Sequence, residues 1–334
     1  MTTLTSPHDL LAAIPFLIGY HPTDSLVLVS LKDESVGMAM RVDYPTLIDS
    51  KFSPDLTDSL LFHLTREGGD GALVIAYVPE DRNDGPMILE TIAASLNEAD
   101  IEVRESLIVQ GGRWRSTLCS DELCCPPGGN ELPEIAASRV AAEQVSQGHP
   151  MPLLDSHALV DSIAPLALSE DSDFIASVST SHLSQKDGAI SVIDLASRFI
   201  AGSIGSNRVA DQMLSARVIS ALRDIQVRDF ALGSHDGATI HIYAMMWQYL
   251  LRIAPTGYVA PIASLYAALC YENGEGALAN RSLDRARVDE PSYSLAALLR
   301  KVFSAGWPPE SFAAMRKDLH PKVCASIFDS PASS

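Results

Sequence analysis

The chain has 334 residues, with 42 Asp and Glu against 24 Lys and Arg, a net charge of −18 and 47% apolar residues. The apolar content excludes a disordered polymer, and the length suits two domains that each bury a core. The acidic balance excludes a basic nucleic-acid-binding protein and is uneven: residues 1–150 hold 9 Lys and Arg against 23 Asp and Glu, residues 151–334 hold 15 against 19.

Ser6-Pro7-His8-Asp9 ahead of Leu10 to Ile14 predicts a short helix capped by Ser6, with Pro7 at its first position and Pro15 ending or redirecting it. Met1 to Leu31 carries no Lys or Arg, so a secretory leader is not expected there. The apolar stretch from Leu10 to Tyr20 falls short of the ~20 residues that span a membrane. The expectation is a cytoplasmic protein with reduced thiols, its five cysteines serving as core residues, metal ligands or redox sites.

Leu26 to Leu31 is an apolar run, which predicts a strand buried on both faces. Val36 to Tyr44 alternates, and Lys32 to Ser35 is polar enough to be the hairpin loop between them. Leu56, Leu60 and Leu64 form one helical stripe, stopped by Gly68-Gly69. Ala72–Val78, Met87–Leu96 and Glu102–Val109 then read strand, helix, strand, a crossover with parallel strands. Gly111-Gly112 turns the chain into Arg113 to Leu118, an expected antiparallel strand. Residues 1–150 are therefore expected to be a mixed α/β sheet domain.

Beyond it, residues 151–184 lack a strong period and read as a connector with some helical character, and residues 185–334 read as an all-α domain. The fold class is thus α+β, or mixed α/β: an N-terminal mixed sheet with helices, followed by a helical domain. Ala267, Ala279, Leu283, Ala286 and Pro291 sit at the offsets of one tetratricopeptide-like helical hairpin, turning at Gly274-Glu275-Gly276. Leu295, Leu298, Leu299 and Val302 form an apolar stripe for which Trp247, Tyr249 and Leu250 are the expected cover. Arg281, Arg285 and Arg287 share one helix and are candidates for a partner-binding patch, against the plainer reading of a solvated face.

No phosphate-binding loop, dinucleotide fingerprint, zinc-protease helix or nucleophile elbow occurs. Ser234-His235-Asp236 reads as a helix start rather than a triad. His21, Asp24, Arg41 and Asp43 are the residues suited to a catalytic or ligand site, against a structural turn preset by Pro22. Cys119, Cys124 and Cys125 are the candidate metal ligands. Three thiols, two of them adjacent, fall short of the four ligands of a closed zinc site. Packed thiols, a zinc site completed by Asp121, Glu122, His149 or a second chain, and a redox-active cluster all stay open.

Leu11 to Val27, Arg41-Val42-Asp43-Tyr44-Pro45, the Trp114–Gly128 cysteine segment and the Gly276–Pro291 segment together resemble the uncharacterised actinobacterial domain-of-unknown-function family 4192. That resemblance implies a bacterial cytoplasmic protein and carries over no catalytic residue. Two functions remain: a non-enzymatic interaction or regulatory protein that docks a protein partner or a second copy through its helical domain, or a small-molecule enzyme or ligand binder at His21, Asp24, Arg41 and Asp43. Neither nucleic acid nor a membrane is the expected partner.

Overall fold

The computed structural model describes residues 4–32, 35–45 and 54–329. The chain forms two compact units that divide between Ala158 and Leu159.

The first unit opens with α1 (Pro7–Ile18), where Ser6 accepts from the Asp9 N–H and Pro7 takes the first turn. Pro15 does not end this helix. It sits inside it, and the helix stops at Gly19, whose φ of +88° supplies the left-handed cap. β1 (Ser25–Lys32) pairs antiparallel with β2 (Ser35–Asp43), as the hairpin reading expects, although Asp33 and Glu34 of its loop lie outside the described residues. α2 (Pro54–Glu67) buries Leu60 and Leu64; the Leu56 side chain lies outside the description.

β3 (Gly71–Tyr77), α3 (Gly85–Glu98) and β4 (Glu102–Gln110) form the crossover, with β3 and β4 parallel. β5 (Arg113–Ser116) pairs antiparallel with β4 and with the two-residue β6 (Asn130–Glu131), giving the order β2-β1-β3-β4-β5-β6. Leu26, Leu28, Val74 and Ile108 pack with Leu60 and Leu64 of α2 and Ile88, Ile92 and Leu96 of α3. Val27, Val29 and Ile75, which alternate with them, are equally sealed, so the central strands are buried on both faces. Each such side chain contributes about 1.5–3 kcal/mol of transfer free energy. α4 (Arg139–Ser146) packs Val140 against Ala12 and Ala13 of α1.

α5 (Ser156–Asp161) spans the division, and everything after it is helical: α6 (Ser172–Thr180), α7 (Gln185–Ile200), α8 (Arg208–Ala221), α9 (Ile225–Gly233), α10 (Ile240–Ile253), α11 (Val259–Glu272), α12 (Gly276–Asp289), α13 (Ser294–Ser304) and α14 (Pro309–Phe328). The expected connector is not a bare linker. Ile163, Phe174 and Val178 enter the helical core, so apolar burial extends this unit back to Leu159 despite the weak period.

α11 is buried from Val259 through Cys270 and forms the expected hairpin with α12, where Ala267, Ala279, Leu283 and Ala286 are sealed. Small side chains let the two helices approach closely. Of the α13 stripe, Leu295 and Leu299 are buried but Leu298 is 58% exposed. α13 packs chiefly on α11 and α12, while α10 packs on α7 and α11. Trp247 and Leu250 are core residues, but the cover expected from α10 comes from the hairpin itself.

Candidate metal centre

After β5 the chain leaves the sheet and is folded back tightly. The Cys124 and Cys125 N–H groups both donate to the Asp121 carbonyl, at 3.1 and 2.7 Å, and the Asp121 carboxylate accepts from the Leu123 N–H. That turn matters because consecutive side chains on an extended strand point to opposite faces. Wound up, Cys124 and Cys125 bring their Sγ atoms, with that of Cys119, within 4.8 Å of one another.

The loop is braced from the sheet. Arg113 donates to the Gly128 and Gly129 carbonyls at 2.7 and 2.8 Å, and Asn130 donates to the Cys124 carbonyl at 2.9 Å. Gly129 adopts φ +70° where a Cβ would stand 3.0 Å from the Trp114 carbonyl oxygen, so glycine is needed for the return into β6.

Cys124 is exposed and the other two thiols are half-buried. Hydrogen bonding to Cys119 and then Cys125, with their charge, pushes the Cys124 thiol up to about 11. Thiols this close hold protons that a cation would displace. Among the described residues, Asp121, Glu122 and His149 do not join the trio. What the loop offers is three soft donors, one of them exposed, a donor set that favours zinc or copper(I) over hard cations.

The other first-unit candidates are arranged differently. Arg41 pairs with Asp43 and reaches the Thr23 carbonyl, while Asp24 takes a φ of +43° and its carbonyl accepts the Tyr44 N–H at 2.9 Å. The Asp43 side chain is 92% exposed. The His21 N–H donates to the Leu153 carbonyl, and desolvation lowers its ring's proton affinity. These contacts give a braced turn with a surface ion pair.

Residues 7–310 match the family described as "Domain of unknown function (DUF4192)". The chain belongs to that family. No curated protein and no solved structure matches it. The DUF4192 match takes in the whole thiol loop and the α11–α12 hairpin.

In the helical unit of this DUF4192 chain, the expected Arg281, Arg285 and Arg287 patch is not one surface. Arg281 faces Asp284, which also pairs with Arg300. Arg285 turns inward and donates to the Ile163 carbonyl, and desolvation lowers its proton affinity. Arg287 remains exposed.

The sequence reading missed a buried polar cluster. Ser234 does not start a helix but follows α9, with its hydroxyl donating to the Phe230 carbonyl. His235 beside it meets Glu272, 37 residues away, at 3.3 Å, and Arg316 grips both Glu272 oxygens at 2.6 and 3.0 Å. Glu272 ends α11, Arg316 lies on α14 and His235 lies in the segment between α9 and α10, so no local spacing links the three.

Proposed function

We propose that the protein is a non-enzymatic regulatory or interaction protein that carries a soft metal ion, zinc first, on Cys119, Cys124 and Cys125, with its helical unit as the body that docks a protein partner. The observation that carries this reading is the convergence of three thiols within 4.8 Å on a braced loop. A loop needed only for packing has no reason to gather three polarizable donors around one exposed point. With three protein donors, a tetrahedral ion bound here would take its fourth ligand from outside the trio, as a responsive site needs. Free thiols of this kind fit a reducing cytoplasm. The net charge of −18 argues for a protein partner over a phosphate backbone.

Elemental analysis of the full chain, prepared under reducing conditions without chelator and then offered zinc, tests the metal. About one zinc per chain is expected. The triple variant Cys119→Ser, Cys124→Ser, Cys125→Ser loses it, and Cys324→Ser keeps it. Protein that holds no metal but forms a disulfide within the trio on mild oxidation overturns the metal reading in favour of redox chemistry.

A further inference from the structure

The helical unit contains a cavity of about 530 Å³ that owes nothing to the thiol loop. That volume lies within the range of about 300–1,000 Å³ typical of small-molecule sites. Its wall is apolar and aromatic: Leu168, Phe199, Ile204, Tyr249 and Ile253 line it. The Phe199 and Tyr249 rings pack on each other, centroids 5.9 Å apart and tilted at 54°, and form one aromatic stretch of that wall.

The polar groups at this wall are unevenly satisfied. Asp211 is 3% exposed, but both its oxygens are engaged: one pairs with Arg198, the other accepts the Gly205 N–H at 2.7 Å. That second bond holds the turn between α7 and α8 in place and so shapes the cavity. Arg198 neutralises Asp211, and Arg208, an exposed residue at the lining, has no ion-pair partner among the described residues. Its guanidinium acts on the Tyr249 hydroxyl, opposing the rise in pKa that burial imposes first. The hydroxyl is itself hydrogen-bonded with Ser215, which leaves Arg208 as the group available to a ligand's charge.

An apolar cleft with a cation at its lining that lacks an ion-pair partner specifies its ligand by charge and shape. We infer that this cavity binds a small amphipathic anion, an aliphatic or aromatic carboxylate, with its apolar body between Phe199, Ile204 and Ile253 and its head on Arg208. The Gln212 amide at the same lining offers a further donor. This site goes beyond the metal reading and stands or falls separately from it.

The test uses two dyes of similar apolar body on the full chain: anilinonaphthalene sulfonate, which is anionic, and N-phenyl-1-naphthylamine, which is neutral. Both are expected to bind saturably, and decanoate displaces them. Arg208→Met weakens the anionic dye by about tenfold, the loss of one charge-assisted hydrogen bond, and leaves the neutral dye unchanged. Ala167 lines the cavity and is exposed, so Ala167→Trp fills it without disturbing the core and abolishes both signals. Gln212→Trp is the second filling variant, and thermal melting confirms that each variant is folded. The inference is overturned if the anionic dye does not bind saturably, if Arg208→Met affects both dyes alike or neither, or if both filled variants bind as the parent does.

Discussion

Gly233 carries no side chain where α9 meets His320 of α14, and a Cβ there would fall 2.1 Å from His320 Nδ1. Gly233→Ala is therefore expected to destabilise the helical unit by about 1–3 kcal/mol in urea unfolding, the usual cost of overpacking. Adding His320→Ala should recover part of the loss; a double variant no better than Gly233→Ala would locate the strain elsewhere. His320 also sets a pH dependence. Desolvation, then the charges of Arg316 and His235, lower its pKa below 6.5, so the folded state binds a proton less readily than the unfolded chain. Its contribution is full above pH 6.5 and is lost as pH falls through the folded value. Glu272 is shifted down from 4.5: burial alone would raise it, but hydrogen bonds and charge from His235 and Arg316 prevail. Its share is present above 4.5 and lost as pH falls through its own lowered value. Melting temperatures should thus fall in two acid steps, and His320→Gln should flatten the upper one. An unchanged upper step would assign it to another group, such as His21 or His63, both also lowered first by desolvation.

At the scale of elements, Asp289 shows how a helix start is supplied from far along the chain. It closes α12, yet its carboxylate accepts the N–H groups of Gly257, Val259 and Ala260 at 2.6, 2.9 and 3.0 Å, capping α11. Asp289→Ala should cost about 1–2 kcal/mol by chemical denaturation, the value of a lost N-cap, while Asp289→Asn retains part of it. A neutral effect would mean that solvent satisfies those N–H groups equally well. The sequence pattern gives Asp289 no part in α11, because a cap that bridges about 30 residues leaves no local spacing. The same limit separates what was legible from what was not. β1 and β3 stand out as short apolar runs, and Ser6-Pro7 marks α1, because each signal lies within one element. Pro15 misled because helix termination depends on the φ of Gly19 as well as on a missing donor. In the candidate site, residue types were legible and directions were not. Cys119, Cys124 and Cys125 converge through one turn at Asp121, whereas Arg285 leaves its patch for a carbonyl 122 residues away.

For the whole molecule, two separate cores imply two cooperative transitions. Leu26, Val74, Ile92 and their neighbours form a core drawn wholly from the first unit, and the cluster from Ile163 to Ile327 is drawn wholly from the second. Each unit is of ordinary domain size and can unfold as one step. The thiol loop belongs to the first unit alone, bound to β5 and β6 through Arg113 and Asn130. A ligand that binds only the folded form stabilises only the unit that holds it, by an amount that grows with the logarithm of its free concentration. Calorimetry of the full chain should therefore show two transitions. Zinc should raise one and a chelator lower it, with the other unmoved; the Cys119→Ser, Cys124→Ser, Cys125→Ser variant should remove that response. Decanoate should shift the opposite transition, since its cavity is built from α7, α8 and α10 of the helical unit. A single transition that both additives move together would show that the two cores unfold as one, and would defeat the assignment of each ligand to its own unit.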